Sequence, residues 1–263
     1  MMIKHGQLDM TWVGNERQAH ILKLVEEFGS VRVADMSKKF NVTEETIRRD
    51  LERLEREGLL KRVHGGAVSI KKNQTEIPFF RRQSINIKEK QVIAQKAATF
   101  IENGDIIALD ASTTSLQMAK YIQDKEITVI TNSIAVTLEL AGREEVTLIT
   151  IGGYLLDKSM SFVGISAQKV IDDYHVDKFF FSCTGFDVQR GVSEAHEMQA
   201  QTKKKFISIS DQLFLLADHS KYGTKSLIRV ADLEDVDYLI TDDKMPVNDM
   251  RSIRSLGINV VLA

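Results

Sequence analysis

The chain has 263 residues, with 35 Lys and Arg against 37 Asp and Glu, for a formal net charge of −2. No apolar run approaches the roughly 20 residues of a membrane span. The first fifteen residues lack the apolar stretch of a secretory leader. The lone cysteine, Cys183, excludes an intrachain disulfide and leaves a cysteine-based zinc site without support, which fits a reducing cytoplasm. The near-neutral total argues against a nucleic-acid binder only if the charge is spread evenly, and it is not. Through residue 90 there are 18 basic and 13 acidic residues, a net of +5; from residue 91 onward there are 17 and 24, a net of −7. Such asymmetry points to two jobs in one chain.

Residues 16–28 carry Ile21, Leu22, Val25 and Phe28 at helical spacing, and Gly29 is placed to end the helix. A short helix is expected over 33–40, with Ala34, Met36 and Phe40 available for packing, then a tight turn at Asn41 and Val42. Thr43 suits an N-cap, and Glu44 and Glu45 suit the positive start of a third helix. That helix carries Ile47, Leu51 and Leu54 as one apolar stripe and stops at Gly58. Two helices and a turn after a leading helix match a helix-turn-helix.

The face opposite the stripe carries Thr46, Arg48, Arg49, Glu52, Arg53 and Arg56. In such a motif the early residues of the second helix approach base edges and nearby cations contact phosphates. Arginine can also bind guanine through two hydrogen bonds. The plainer reading is a solvated face with glutamate–arginine pairs four apart: Glu44–Arg48, Glu45–Arg49 and Glu52–Arg56. Charge pattern alone favours that reading, and the following segment reverses it. In LLKRVHGGAV, residues 59–68, Leu59, Leu60 and Val63 read as strand and Gly65-Gly66 as a hairpin tip. Lys61, Arg62 and His64 ride on this wing and add cations for a phosphate backbone, although His64 alone would be an ordinary surface histidine. The candidate DNA contacts are Thr43, Glu45, Thr46, Arg48, Arg49 and Arg53 on the helix, with Lys61, Arg62 and His64 on the wing.

The stretch VTEETIRRDLERLEREGLLKRVHGGA, Val42 to Ala67, resembles the signature of the DeoR family of bacterial transcriptional regulators. The run IRRDL followed by the HGGA wing is far more specific than a generic helix-turn-helix. The resemblance implies a winged helix-turn-helix over 14–70 that binds operator DNA, most often as a repressor of sugar catabolism.

Residues 71–90 are polar and basic and read as a linker that turns helical near Asn86 to Glu89; the helix continues to Asn103-Gly104. Over 91–263 the pattern becomes α/β. Short apolar runs at 105–110, 127–131, 146–153, 178–185, 213–218, 237–241 and 258–262 read as strands. Helical runs at 115–122, 134–142 and 166–174 lie between them. Strands buried on both faces read as continuous apolar runs, so the sheet is expected to be mostly parallel.

Ligands of open α/β sheets bind beyond the carboxyl ends of strands. The first strand is followed by Asp110, Ser112, Thr113 and Thr114, a natural phosphate site where hydroxyls meet a helix start. Later strand ends bring Asn132 and Ser133, then Gly152 and Gly153, then Thr184, Gly185 and Asp187, and finally His219, Ser220 and Lys221. Each has a plainer reading: a cap for Ser-Thr-Thr, a turn for Gly-Gly, an Asx turn for Asp187, a surface lysine for Lys221. Five polar strand ends in succession favour a shared pocket.

The family resemblance extends over nearly the whole chain, through the elements GD-x-I-x-LD-x-STT, TNS, GG, TG-x-D and DHSK-x-G. It implies a sensor domain similar in fold to ribose-5-phosphate isomerase that takes a phosphorylated sugar or related metabolite. Ser112, Thr113 and Thr114 would then hold phosphate, and Asp110, Asn132, Asp187 and Lys221 would line the pocket. The isomerase comparison raises an enzyme alternative, which needs a general base near the sugar C2 proton. Glu194 and Glu197 follow the Asp187 loop, but the isomerase's glycine-rich approach is missing, so no catalytic residue is assigned. Cys183 reads as a small core residue. No Walker or Rossmann loop and no histidine pair at metal-ligand spacing occurs, so no cofactor and no metal are expected. The expected partners are double-stranded operator DNA and a phosphorylated sugar, with no membrane. Repeated or palindromic operators imply a homodimer or homotetramer.

Overall fold

The computed structural model describes residues 16–28, 30–63, 65–69 and 77–263. The first fifteen residues, Gly29, expected to end the first helix, the wing residue His64, Ile70 and residues 71–76 of the expected linker lie outside that description. The chain divides into two compact units, residues 1–73 and 74–263.

The first unit runs α1 (Glu16–Phe28), β1 (Ser30–Arg32), α2 (Val33–Phe40), α3 (Glu44–Arg56), β2 (Leu60–Val63) and β3 (Gly66–Ser69). Ile21, Val25, Met36, Ile47, Leu51, Leu54 and Leu60 fill one core, and each such side chain stabilises by about 1.5–3 kcal/mol when fully buried. Asn41 adopts the left-handed conformation that ends α2. The Thr43 hydroxyl then caps α3 by accepting the Thr46 N–H at 3.2 Å. At the far end Leu59 donates to the Leu54 carbonyl while Gly58 takes φ +70°, a Schellman-type stop. The wing is a three-stranded antiparallel sheet in the order β1-β3-β2, not a bare hairpin. Three residues, Ser30-Val31-Arg32, are too few to show a strand period, and their pairing with β3 supplies what the sequence lacks. A Cβ on Gly66 would lie 2.1 Å from the Val31 carbonyl oxygen, so this close approach requires glycine.

The second unit is built on a seven-stranded parallel sheet. Its strands are β4 (Ile106–Leu109), β5 (Ile127–Thr131), β6 (Val146–Thr150), β9 (Val176–Phe181), β12 (Ser210–Leu216), β14 (Tyr238–Thr241) and β15 (Asn259–Leu262). The order is β15-β14-β12-β9-β4-β5-β6. Alternate residues enter different cores: Ile107, Leu109, Phe180 and Phe214 pack on one face, and Ala108, Phe179, Phe181 and Leu215 on the other. Phe180, Phe214 and Tyr238 sit in register on adjacent strands and stack at 4.6 and 4.5 Å. The first face is covered by α5 (Ile87–Ala98), α6 (Thr113–Tyr121) and α7 (Ile134–Leu140); α8 (Ile165–Ile171), α9 (Glu197–Ser208) and α10 (Val247–Arg254) cover the other.

Several elements differ from the sequence expectation. The segment 77–90, expected as linker, carries α4 (Phe79–Arg82) and the first turn of α5. Phe79 is 1% exposed and belongs to the sheet-face core with Ile93 and Ile240, so this part of the segment packs as sensor. Helix α5 ends at Ala98, short of Asn103. A small antiparallel sheet of β10 (Gly185–Asp187), β11 (Gly191–Glu194) and β13 (Ile228–Ala231) and a hairpin of β7 (Tyr154–Leu156) and β8 (Ser161–Val163) are additions. Among the described residues no helix is long and apolar enough to cross a membrane.

Candidate functional site

On α3 the residues Thr43, Glu45, Arg48, Arg49 and Arg53 are exposed, Thr46 is half-buried, and Lys61 and Arg62 are exposed on β2. Arg48 donates to Glu44 at 2.6 Å, Arg49 lies 3.5 Å from Glu45, and Arg53 pairs with Glu57 at 3.1 Å. Two of the three expected glutamate–arginine pairs therefore form; the third, Glu52–Arg56, does not form. These pairs are exposed and weak, so each arginine can exchange its glutamate for a phosphate or a base edge. The Arg62 N–H donates to the Glu55 carboxylate at 2.7 Å and ties the wing to α3. On the buried side of α3, Asp50 accepts from Arg17 at 2.6 Å and from Gln18 at 3.0 Å, which fixes α3 against α1. The hydrogen bond from Arg17 to Asp50 holds the guanidinium above its ordinary pKa.

At the carboxyl ends of the parallel strands an unusual number of polar groups are buried. Asp110 follows β4 and is 4% exposed. One of its oxygens accepts from the Ser112 N–H at 3.1 Å and the Ser115 hydroxyl at 2.6 Å, the other from the Ser182 N–H at 3.1 Å. Lys203, from α9, reaches in to lie 3.1 Å from Asp110 and 2.5 Å from Glu194, and it also donates to the Ser182 carbonyl. Burial raises the Asp110 pKa, but Lys203 and the three donors outweigh it and hold the carboxyl below the usual range. Burial likewise lowers Lys203, and Glu194 and Asp110 reverse the sign. Thr184 donates to the other Glu194 oxygen at 2.8 Å.

Ser112 caps α6 by accepting the Ser115 N–H at 3.0 Å. The next two residues, Thr113 and Thr114, are 4% exposed. Their hydroxyls and N–H groups have no partner among the described residues. An unpaired helix start with two hydroxyls suits an anion. After β12, Asp218 accepts from Ser220 and from Asn86 at 2.9 Å. Its burial is outweighed by Lys221 and Ser220, so it too titrates below its ordinary range. Lys221 is half-buried, and its ammonium makes no hydrogen bond or ion pair with the described residues. Cys183 follows β9 and is 6% exposed; burial pushes its thiol up to about 12, which disfavours the thiolate.

The other strand-end residues are structurally engaged. Asn132 donates to the Phe162 carbonyl at 2.8 Å, and Ser133 caps α7 by accepting from Val136. Gly152 faces open space, whereas a Cβ on Gly153 would lie 2.7 Å from the Val163 carbonyl oxygen. A Cβ on Gly185 would lie 2.3 Å from the Thr224 carbonyl oxygen. Asp187 accepts from the N–H groups of Gln189 and Arg190, the Asx turn of its plainer reading, and Lys225 stands 3.5 Å away. Sequence reasoning missed Lys90, Ser115, Ser182 and Lys203. Ser115 was within reach, one residue beyond the Ser-Thr-Thr run; a lysine in a helix without an apolar period gives no such signal. Surface clefts of about 250 and 500 Å3 open at the opposite end of the sheet, beside Arg143 and Glu126. They contain none of the strand-end residues, and acidic Glu126, Glu144 and Glu145 line the larger, which disfavours an anion.

The family model of the DeoR-like helix-turn-helix domain matches residues 17–73, and that of the DeoR C terminal sensor domain matches residues 85–243. The chain is 47% identical over 245 residues to the uncharacterized HTH-type transcriptional regulator YulB of Bacillus subtilis, covering 93% of this chain and 95% of that one. It is 35% identical over 248 residues to the L-fucose operon activator of Haemophilus influenzae, covering 94% and 100%. Among solved structures, ribose 5-phosphate isomerase A of Methanocaldococcus jannaschii is 16% identical with a TM-score of 0.39, over 52% of this chain and 55% of that one. Two family domains in order, and relatives aligned along almost the whole length, place the chain in the DeoR family of DNA-binding transcriptional regulators.

Proposed function

We propose that the chain represses a carbohydrate-catabolism operon and leaves its operator when a phosphorylated sugar or related metabolite binds at the strand ends of the second unit. The observation that carries this reading is the unpaired α6 start, Thr113 and Thr114, in a unit where Lys221 has no ion-pair partner among the described residues. Phosphate would sit on that helix start and Lys221, with Asp110, Asn132 and Ser133, Gly152 and Gly153, and Thr184, Gly185 and Asp187 around the sugar. Thr43, Glu45, Thr46, Arg48, Arg49 and Arg53, with Lys61, Arg62 and His64, would face operator DNA. A repeated operator calls for a homodimer or homotetramer. The effector then acts by linkage, favouring a quaternary arrangement that does not fit the operator spacing.

The name of one relative, an L-fucose operon activator, supports a sugar operon but carries the opposite sign; a reporter strain lacking the gene sets the sign, because loss of a repressor raises expression. Isomerase chemistry is disfavoured because Glu194, a potential base, is already held by Lys203 and Thr184. A thermal-shift screen tests the sensor assignment. A phosphorylated sugar at 100 times its dissociation constant adds about 2.7 kcal/mol of stability, and its unphosphorylated parent adds none. Stabilisation by neutral sugars alone, or robust turnover of pentose or hexose phosphates, would overturn the reading.

A further inference from the structure

We propose that Lys90 is the second cation of the effector site and, with Lys221, holds the two negative charges of a phosphate monoester. The inference rests on the effector reading above and adds a residue and a charge state to it. Lys90 stands in the first turn of α5 and is 5% exposed. That turn is seated on the loops after β12 and β14. Asn86 donates to Asp218 at 2.9 Å and to Ser220 at 3.1 Å, and Lys244 donates to Glu89 at 2.5 Å. The start of α5 therefore lies at the carboxyl end of the sheet, beside Lys221.

Two lysines of this unit, the buried Lys203 and the half-buried Lys178, show what Lys90 lacks. Lys203 is neutralised by Asp110 and Glu194, and Lys178 by Asp105 at 2.6 Å. Among the described residues no carboxylate lies within ion-pair distance of Lys90; its ammonium donates to the Arg82 carbonyl. Fold stability does not favour an ammonium buried without a counter-charge. Two lysines share one buried carboxylate, Asp218, which Asn86 and Ser220 already engage. The charged groups around Lys90 are Arg82 on α4, Glu89 on α5 with its Lys244 partner, and Asp218 and Lys221 after β12; His219 and Asp242 pair with each other at 2.8 Å on the same loops. Glu89 is engaged by Lys244 and Asp242 by His219, which leaves Asp218 to face both Lys90 and Lys221; a bound dianion adds the counter-charge that a second ammonium needs.

Burial first, and then repulsion from Lys221, lowers Lys90 to about 7. At pH 8 it is mostly neutral in the free protein, whereas a phosphate monoester, with its second pKa near 6, is already a dianion. An anion beside Lys90 favours the ammonium, so binding at pH 8 draws a proton from the buffer onto Nζ.

Calorimetric titration of the full chain with inorganic phosphate at pH 8, in two buffers of different ionisation enthalpy, reads that proton directly. The expected result is uptake of up to about one proton per chain. Lys90→Arg, always charged, binds phosphate with no uptake. Lys90→Gln loses at least about tenfold in affinity, the weight of one charge-assisted contact. Should Lys90→Gln not fold, the buffer comparison between wild type and Lys90→Arg still decides. Phosphate binding without proton uptake, or equal uptake in Lys90→Arg, overturns the proposal and leaves the effector reading standing. If neither phosphate nor any phosphorylated sugar binds the wild type, the effector reading itself falls.

Discussion

Arg48 and Arg49 stand on the surface of α3, with side chains 51% and 78% exposed, each beside a glutamate one turn earlier. Lys203 stands at the centre of the sensor's strand ends, 6% exposed, between Asp110 and Glu194. The first arrangement costs little to open: exposed pairs contribute roughly 0–1 kcal/mol and weaken with salt. The second cannot be opened without leaving charge in a dry interior. The arginines proposed to face DNA are therefore held exchangeably. The sensor unit uses charge as scaffold; among the described residues the hydroxyls of Thr113 and Thr114 and the ammonium of Lys221 lack internal partners, and under the proposed reading they and Lys90 would meet the ligand.

The sharpest way to break this contrast is Lys203→Met. It strands Asp110 and Glu194 and should cost about 3–5 kcal/mol in denaturant unfolding. The Asp110 carboxyl is held below its usual range in the folded state, so its contribution is present above the unfolded value near 3.8 and lost as pH falls through the folded one. Lys203→Met should reduce that acid-dependent part, and a variant as stable as wild type would show that the triad is not scaffold. Next in size, Arg48→Ala with Arg49→Ala should weaken operator binding about a hundredfold or more, while stability changes by under about 1 kcal/mol and phosphate binding is unchanged. Unimpaired operator affinity in anisotropy titrations would remove α3 from the interface. The smallest effect belongs to Asp50→Asn, which keeps the shape but not the charge of the contact with Arg17. Thermal unfolding should report a loss of about 1 kcal/mol, and a loss near zero would mean that α1 and α3 are held by the apolar core alone.

Much of this architecture is legible in the residues. Ile47, Leu51 and Leu54 announce α3, Thr43 announces its cap, and the apolar runs of β4, β5 and β12 announce a sheet covered on both faces. Helix α9 is not legible: it buries Gln199, Thr202 and Lys203 alongside Ala200 and Phe206, so it has no apolar period. Asp50 lies in the middle of a charged run, and its burial depends on Arg17 and Gln18, more than thirty residues earlier. The strand-end rule singles out Asp110, Thr113, Thr114 and Lys221 as residues at the carboxyl end of the sheet, because it depends on chain order alone. It could not find Lys90 and Lys203, which reach the same end from helices and read in sequence as solvated lysines. Nor could it separate Thr113, whose hydroxyl has no partner among the described residues, from Asp187, which is engaged in its own turn.

The central claim is that one chain binds operator DNA and releases it on binding a phosphorylated sugar. The most direct measurement is fluorescence anisotropy of the full chain on an operator selected from random double-stranded DNA, titrated with phosphorylated sugars and their unphosphorylated parents. The account predicts that a phosphorylated sugar weakens operator binding at least about tenfold, the range of ordinary allosteric coupling. It also predicts that Thr113→Val with Thr114→Val abolishes the response without changing operator affinity in the absence of sugar. Operator affinity indifferent to every phosphorylated sugar, or a response that survives the double threonine change, would contradict it.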